Sequence, residues 1–303
     1  MMTAAVFEPA KSSSIPNITN NDELVHANVL SNLSWSVIFT VGMAVGGFAT
    51  AFLGTTTVFI INALTYLLST YFIFRANIPH IRNSEQLALL AKPLKGILDG
   101  FQYLKNRGDL LRPAIAKGIY EISLGGLVYI LILVSEDVLL MGSVGLGILY
   151  ASRGIGTAIG PLTINGFFAD ERKWIAYIGF CMMLTGFGYL LVGFTHTLLI
   201  MAPLVLFAHA ASGANWVMST VLIQKRSPDN FRGRVFSSEW LFFTICEAIS
   251  VLFAALMLEF KILDIQTIIW VLAVGMIVSG MIWTITAARF ERDFHQRTFS
   301  IDK

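Results

Sequence analysis

Several ionisable side chains stand inside stretches otherwise built for an apolar surrounding: Lys117, Glu121, Arg153, His209, Glu239 and Glu247. An ionisable group at mid-membrane costs about 2.5–3.5 kcal/mol on insertion scales, so such a residue faces a bundle interior or water and marks a path for protons or polar ligands. Lys117 and Glu121 lie one helical turn apart in "RPAIAKGIYEISLGGLVYILILV", Arg112 to Val134. At a rise of about 1.5 Å per residue, Lys117 is about 7 Å and Glu121 about 13 Å into that helix. Lys117 can snorkel to the interface or pair with Glu121. Glu121 is then either half of a structural ion pair or a carboxyl that takes and releases a proton. Glu247 sits mid-segment, where no escape to the interface exists. His209, in "LFAHAASGANW", is a satisfied packing residue or a titrating, ligand-binding one. Asn215 and Trp216 suit a cavity wall, as polar handle and aromatic face. Arg153 can offset either carboxylate, and Glu239 is expected to pair with nearby Arg234.

No chemistry of an enzyme joins these groups. The chain contains no H-E-x-x-H, no phosphate-binding loop and no G-x-S-x-G, so no catalytic residue, metal or cofactor is expected. "SRGIGTAIGP" (Ser152–Pro161) holds a G-x-G, but within an apolar helical stretch. Ser152, Gly156 and Gly160 fall four residues apart, the spacing that lets membrane helices pack closely. Cys181 and Cys246 lie among mostly apolar neighbours and read as packing residues.

The elements that must position these groups are membrane spans. The 303 residues are 55% hydrophobic and 13% charged, with a mean hydropathy of +0.70; a soluble domain carries about 25% charged residues. A span needs about 20 apolar residues. Eight are read, at 30–53, 56–74, 112–134, 143–167, 174–194, 198–222, 235–258 and 265–288. "GTTT" (Gly54–Thr57) separates the first two as a tight hairpin. The N-terminus "MMTAAVFEPAK" lacks the basic start and long apolar run of a signal peptide.

Lysine and arginine set the orientation. With the spans placed so, Lys11, the connection from Arg75 to Arg112, Arg172 and Lys173, Lys225 to Arg234, and the C-terminal tail all fall on one side. Lys261 falls on the other, and Lys117 and Arg153 lie within spans. Both termini are expected in the cytoplasm. Within the long connection, Leu90, Leu94, Ile97, Leu98, Phe101 and Leu104 recur at helical steps with Lys92, Lys95, Asp99 and Lys105 between. This predicts an amphipathic helix on the membrane surface, with Pro93 in its first turn. No basic patch interleaved with aromatics speaks for nucleic acid.

A repeat is visible at the cytoplasmic entrances of two spans. "VHANVLS" (Val25–Ser31) is echoed by "FRGRVFS" (Phe231–Ser237), six spans later. Two six-helix units in the same orientation form one of the repeat patterns of secondary transporters.

At these residues the chain resembles the major facilitator superfamily, in particular its bacterial efflux branch of macrolide and siderophore exporters. "GANWVMSTVLIQKRSPDNFRGRVFSSEW" (Gly213–Trp240) looks like that branch's tenth helix, loop and start of the eleventh, with Arg232, Gly233 and Arg234 in the Q-x-R-x-P-x-x-x-R-G-R-V-F-S pattern. "FEPAKSSSIPNITNNDELVHANVLSNLSW" (Phe7–Trp35) looks like the passage from the fourth helix to the fifth. The antiporter motif G-P-x-x-G-G reads Gly42, Met43, Ala44, Val45, Gly46, Gly47 here, with Met at the proline position. "GFFADERK" (Gly166–Lys173) resembles the second-half copy of the family's loop motif, keeping Gly166 and Asp170 and replacing a basic residue by Glu171.

The resemblance implies an all-α membrane protein with a partial major facilitator fold, about eight transmembrane helices of a twelve-helix parent. Residues 1–75 would end the first six-helix unit, 76–111 form a cytoplasmic linker, and 112–303 make the complete second unit. Function then reads as secondary active transport in the inner (plasma) membrane, with proton-coupled export of an amphipathic drug, macrolide or siderophore and a role in multidrug resistance. The alternatives are a transport-inactive fragment of such a protein, or a membrane scaffold or regulatory subunit. The expected partners are the lipid bilayer, a small-molecule substrate, and four further N-terminal helices supplied by another chain or replaced by a second copy in a homodimer.

Overall fold

The computed structural model describes residues 2–76 and 93–301, which are helical apart from short turns and contain no strand. Helix α1 (Met2–Ser14) leads through a 3-10 turn to α2 (Leu24–Arg75). After the linker come α3 (Pro93–Asn106) and α4 (Gly108–Leu133), which ends in a π-helical turn, Val134–Val138. The rest is α5 (Gly142–Leu162), α6 (Trp174–Val192), α7 (Leu198–Arg226), α8 (Asp229–Glu259) and α9 (Ile265–Ile301).

Among the described residues, seven segments are long and apolar enough to cross a membrane: Leu24–Gly42, Phe52–Arg75, Gly108–Val138, Glu171–Val192, Leu198–Arg226, Asp229–Glu259 and Ile265–Ala287. Sequence reading placed an eighth at 143–167. Helix α5 is there, but its glycines, Ser152 and Arg153 dilute its hydropathy. It packs closely along α7 and also against α2, so less of its surface needs to suit lipid.

Helices α4 to α9 form one bundle, with α6 running along α9, α5 along α7, and α4 between α7, α8 and α9. Backbone contact explains the small residues at the α5–α7 crossing. A Cβ on Gly156 would strike the Leu206 carbonyl, and one on Gly160 the Ala210 carbonyl, as expected of the four-residue spacing. Large indoles fill the opposite crossing with their polar edges satisfied. Trp174 Nε1 donates to the Phe168 carbonyl at 2.7 Å and Trp283 Nε1 to the Ile175 carbonyl at 3.0 Å. Cys181 and Cys246 are buried free thiols.

Two local expectations change. The break in α2 is a single residue, Gly54, at φ +75° and ψ 159°, backbone that glycine adopts without steric cost. Thr55–Thr57 are already helical, so the hairpin loop is reduced to a kink. Beyond it, the apolar window of Phe52–Arg75 has no buried residue. The amphipathic helix exists as α3, but one face is docked on α8: Ser238 Oγ donates to the Ile97 carbonyl at 2.8 Å, and a Cβ on Gly100 would strike Ser238 and the Arg234 backbone. Leu104 is buried there while Leu98 stays exposed. Leu90 and Lys92 lie outside the described residues.

A candidate substrate cavity

Helical period puts one polar and aromatic stripe from each of several helices into a common space. Glu121, Leu124 and Val128 on α4, His209, Ser212 and Trp216 on α7, and Trp240, Phe243 and Glu247 on α8 recur at three- and four-residue steps. With Arg153 and Thr157 of α5, Asn28, Asn32 and Trp35 of α2, and Glu8, Lys11 and Ser12 of α1, they line a cavity of about 450 Å³. A larger groove of about 700 Å³ lies over α5, α6 and α7, lined by residues such as Phe167, Tyr177, Phe180 and Phe207. None of the described residues that line it is charged, whereas the ionisable side chains Glu121, Arg153 and Glu247 line the smaller cavity.

Glu121 is 6% exposed and makes no ion pair among the described residues. Glu247 projects into the cavity from α8. Gly125 lets α4 approach α8 at Glu247: a Cβ there would stand 3.0 Å from the Glu247 carbonyl and 3.1 Å from its Cγ. A side chain at 125 would require Glu247 to give by a few tenths of an ångström. Glu247, Arg153 and Lys117 are the charges that act on Glu121.

Lys117 corrects two expectations. It neither snorkels nor pairs with Glu121: it is 3% exposed, and its Nζ lies 2.8 Å from Glu239 Oε1, across on α8. Glu239 Oε1 accepts no hydrogen bond among the described residues, so the contact is a Coulombic one. The Lys117 ammonium donates instead to Thr220 Oγ1 at 2.9 Å and sits 4.1 Å from the centroid of a Trp216 ring. Glu239 is thereby drawn away from Arg234, whose guanidinium covers the Phe231 ring at 4.5 Å. An i,i+4 pair was the nearest choice along the sequence, but packing of α4 against α8 offers a partner in a buried site with an aromatic face.

Trp216 stands edge-on to Trp240 and Phe243, with ring centroids 6.0 and 5.4 Å away. His209 Nε2 lies 2.8 Å from the Tyr189 hydroxyl, so the imidazole is anchored from behind while its ring lines the wall. Asn215 does not reach the wall: it is buried, 2% exposed, and its Oδ1 has no hydrogen-bond partner among the described residues. Arg153 lies over Phe39 at 5.4 Å and Tyr150 at 5.6 Å, with no hydrogen-bond partner on Nε among the described residues.

The motif glycines and charges hold the ends of the bundle. Arg232 Nη1 donates to Asn17 Oδ1 at 2.8 Å and Asp229 Oδ1 at 3.1 Å, tying α8 to the turn after α1. Ser13 Oγ lies 3.9 Å from where a Gly233 Cβ would stand. Nearby, Asn28 Nδ2 donates to Gln224 Oε1 at 2.6 Å, and Gln224 Nε2 to the Ser12 carbonyl at 2.8 Å. Asp170 accepts from the Arg172 backbone at 3.2 Å, and the Arg172 side chain beside it holds its carboxyl below the usual range. Glu171, at the position of a basic residue in the motif, binds Lys225 Nζ at 2.6 Å and clips that loop to the end of α7. Gly42, Gly46 and Gly47 are helical; nothing stands within 4 Å of a Cβ at Gly42 or Gly166.

Sequence reasoning passed over Trp240, Phe243, Asn28, Asn32 and the Glu8–Lys11 pair. The spacing of Trp240 and Phe243 from Glu247 placed them on one helical face, and that was the signal available for them.

Comparison with curated proteins gave no match. The sequence model of the Major Facilitator Superfamily matches residues 1–245, a stretch running from α1 into α8 and covering nearly the whole cavity wall. A multi-pass helical bundle with a polar cavity at its interior is thus matched over most of its length, and the chain belongs to the major facilitator superfamily of membrane transporters.

Proposed function

We propose that the chain is a proton-coupled exporter of an amphipathic small molecule, of the drug, macrolide or siderophore kind, and that Glu121 and Glu247 are its proton-exchanging groups. The observation that carries this reading is the pair itself. Two carboxylates without ion-pair partners among the described residues share one cavity with Trp216, Trp240 and Phe243. Glu121 is buried and Glu247 stands exposed on the same cavity; burial of a carboxyl favours its exchanging a proton as its neighbours change, and the aromatic faces give an amphipathic body an apolar surface to lie on. Residues 112–303 act as one six-helix unit in this scheme, oriented with both termini in the cytoplasm of an inner-membrane protein.

The test is flux in everted vesicles from cells producing the chain. An imposed proton gradient should drive uptake of an amphipathic fluorescent dye, and Glu121→Gln with Glu247→Gln should reduce it to background. Equal flux with and without the gradient would refute proton coupling.

A further inference from the structure

We propose that the apolar groove over α5, α6 and α7 binds one anionic phospholipid, with its acyl chains in the groove and its phosphate on Lys173. The groove opens on the surface of the bundle, where Phe167, Phe180 and Phe207 are exposed. The proposal goes beyond the transport reading and stands whether or not transport is proton-coupled.

Size and shape fit hydrocarbon chains. Buried Ala211 and Ala214 of α7 line the bottom, and Tyr177, Phe180 and Leu184 of α6 form one wall. Small residues below larger ones make a depression of about 700 Å³. Left empty, its lining would lose dispersion contacts. From Ala176 to Leu184 the α6 wall runs about 12 Å at a rise of about 1.5 Å per residue. One leaflet of hydrocarbon is about 15 Å deep. Spread over the wall's length, the volume has a section of about 60 Å². A helix with its side chains is about 10–12 Å across, about 80 Å² or more in section. A spanning segment of a partner or of a second copy is therefore too thick for the groove, and extended hydrocarbon chains are not.

The threonines of the lining keep their hydroxyls within their own segments. Thr163 Oγ1 donates to the Gly160 carbonyl at 2.6 Å, and Thr284 Oγ1 to the Gly280 carbonyl at 2.8 Å. A polar ligand gains nothing from them. An acyl chain entering the groove leaves hydrocarbon for hydrocarbon, so the hydrophobic effect does not select it. Packing holds the chains, and selection falls to the headgroup.

Lys173 provides that selection. Positions 173, 177, 180 and 184 recur at helical steps, and Lys173 already has helical backbone, φ −99° and ψ 0°. The α6 wall thus ends, at the first residues of its span, on a lysine whose side chain is 63% exposed. The neighbouring Arg172 side chain is 79% exposed. Asp170 lies 3.2 Å from Arg172 Nε and 3.4 Å from Lys173 Nζ, while Glu171 binds Lys225 at 2.6 Å. Two exposed cations share one carboxylate, and the mouth of the groove stays net positive. Basic side chains at the membrane surface attract anionic headgroups. A phosphodiester esterified to glycerol brings one negative charge and nothing to offset it. A choline headgroup adds a cation that Arg172 and Lys173 repel.

The test titrates the delipidated full chain in detergent with phosphatidylglycerol or phosphatidylcholine of equal acyl chains, read by native mass spectrometry. The wild type should bind one phosphatidylglycerol about tenfold more tightly than phosphatidylcholine, and phosphatidylglycerol should raise its thermal midpoint more. Lys173→Gln should remove most of that preference and Lys173→Arg should keep it. Ala176→Phe fills the groove near its mouth and Leu184→Trp near its far end. Each should lose the bound lipid while melting, without lipid, as the wild type does. Lys105→Gln removes an exposed charge on α3, away from the groove, and should leave binding unchanged. Equal binding of the two lipids by the wild type would overturn the proposal. So would wild-type binding of phosphatidylglycerol in Lys173→Gln, or in a filling variant that melts as the wild type does. If one filling variant melts early, the other decides.

Discussion

The Lys117 ammonium lies 2.8 Å from the Glu239 carboxylate on α8, although Glu121 stands one turn away on its own helix. This pairing leaves Glu121 free of its nearest cation along the sequence, which the proposed proton exchange requires. Removing one partner of a buried pair strands the other, at about 3–5 kcal/mol, whereas replacing both by apolar groups is near neutral. Lys117→Met should therefore lower the thermal midpoint in detergent steeply, and Lys117→Met with Glu239→Leu should recover most of it. A double variant no more stable than the single one would deny the pairing.

Crossing α5 over α7 depends on the absence of a side chain at Gly160, where a Cβ meets the Ala210 carbonyl. Backbone cannot yield as a flexible side chain does. Gly160→Ala should destabilise by about 1–3 kcal/mol. Gly166→Ala, where nothing stands within 4 Å, should stay within about 0.5 kcal/mol of wild type. Denaturation of both variants under one detergent condition compares them directly.

Orientation is predicted from the lysine and arginine bias. Reporter fusions after Thr56, Asp137, Thr195 and Lys261 should report outside, and those after Lys92, Lys173 and Ser227 inside. An inverted result at any of these positions would break the map.

The spans were legible because a membrane helix is a local property: about 20 apolar residues and a break. Gly54 was legible for the same reason, since glycine is the residue that takes φ +75° without cost. Gly156 and Gly160 announced close packing by spacing alone. The partner of Lys117 was not legible. Its choice between Glu121 and Glu239 depends on how α4 and α8 meet, and no local pattern records that. Asn215 and Trp216 looked equivalent as neighbours in sequence, yet one helical step of about 100° turns Trp216 to the cavity and Asn215 into the packing. Helix α1 was missed as a cavity wall because a short segment with an internal proline, Pro9, carries little periodic signal. Its place is fixed by Arg232 and Gln224, two hundred residues away along the chain.

The central claim is that protons and ligand exchange at the Glu121–Glu247 pair, and substrate-induced collapse of a pH gradient tests it most directly. Everted vesicles bearing the chain are acidified inside, and an amphipathic cation is added outside while a pH-sensitive dye reports the lumen. The account predicts a rapid rise in luminal pH on adding the cation to wild-type vesicles. It predicts no rise beyond that of chain-free vesicles with Glu121→Gln and Glu247→Gln combined. A wild-type response no larger than that of chain-free vesicles, or a full response in the double variant, would contradict it.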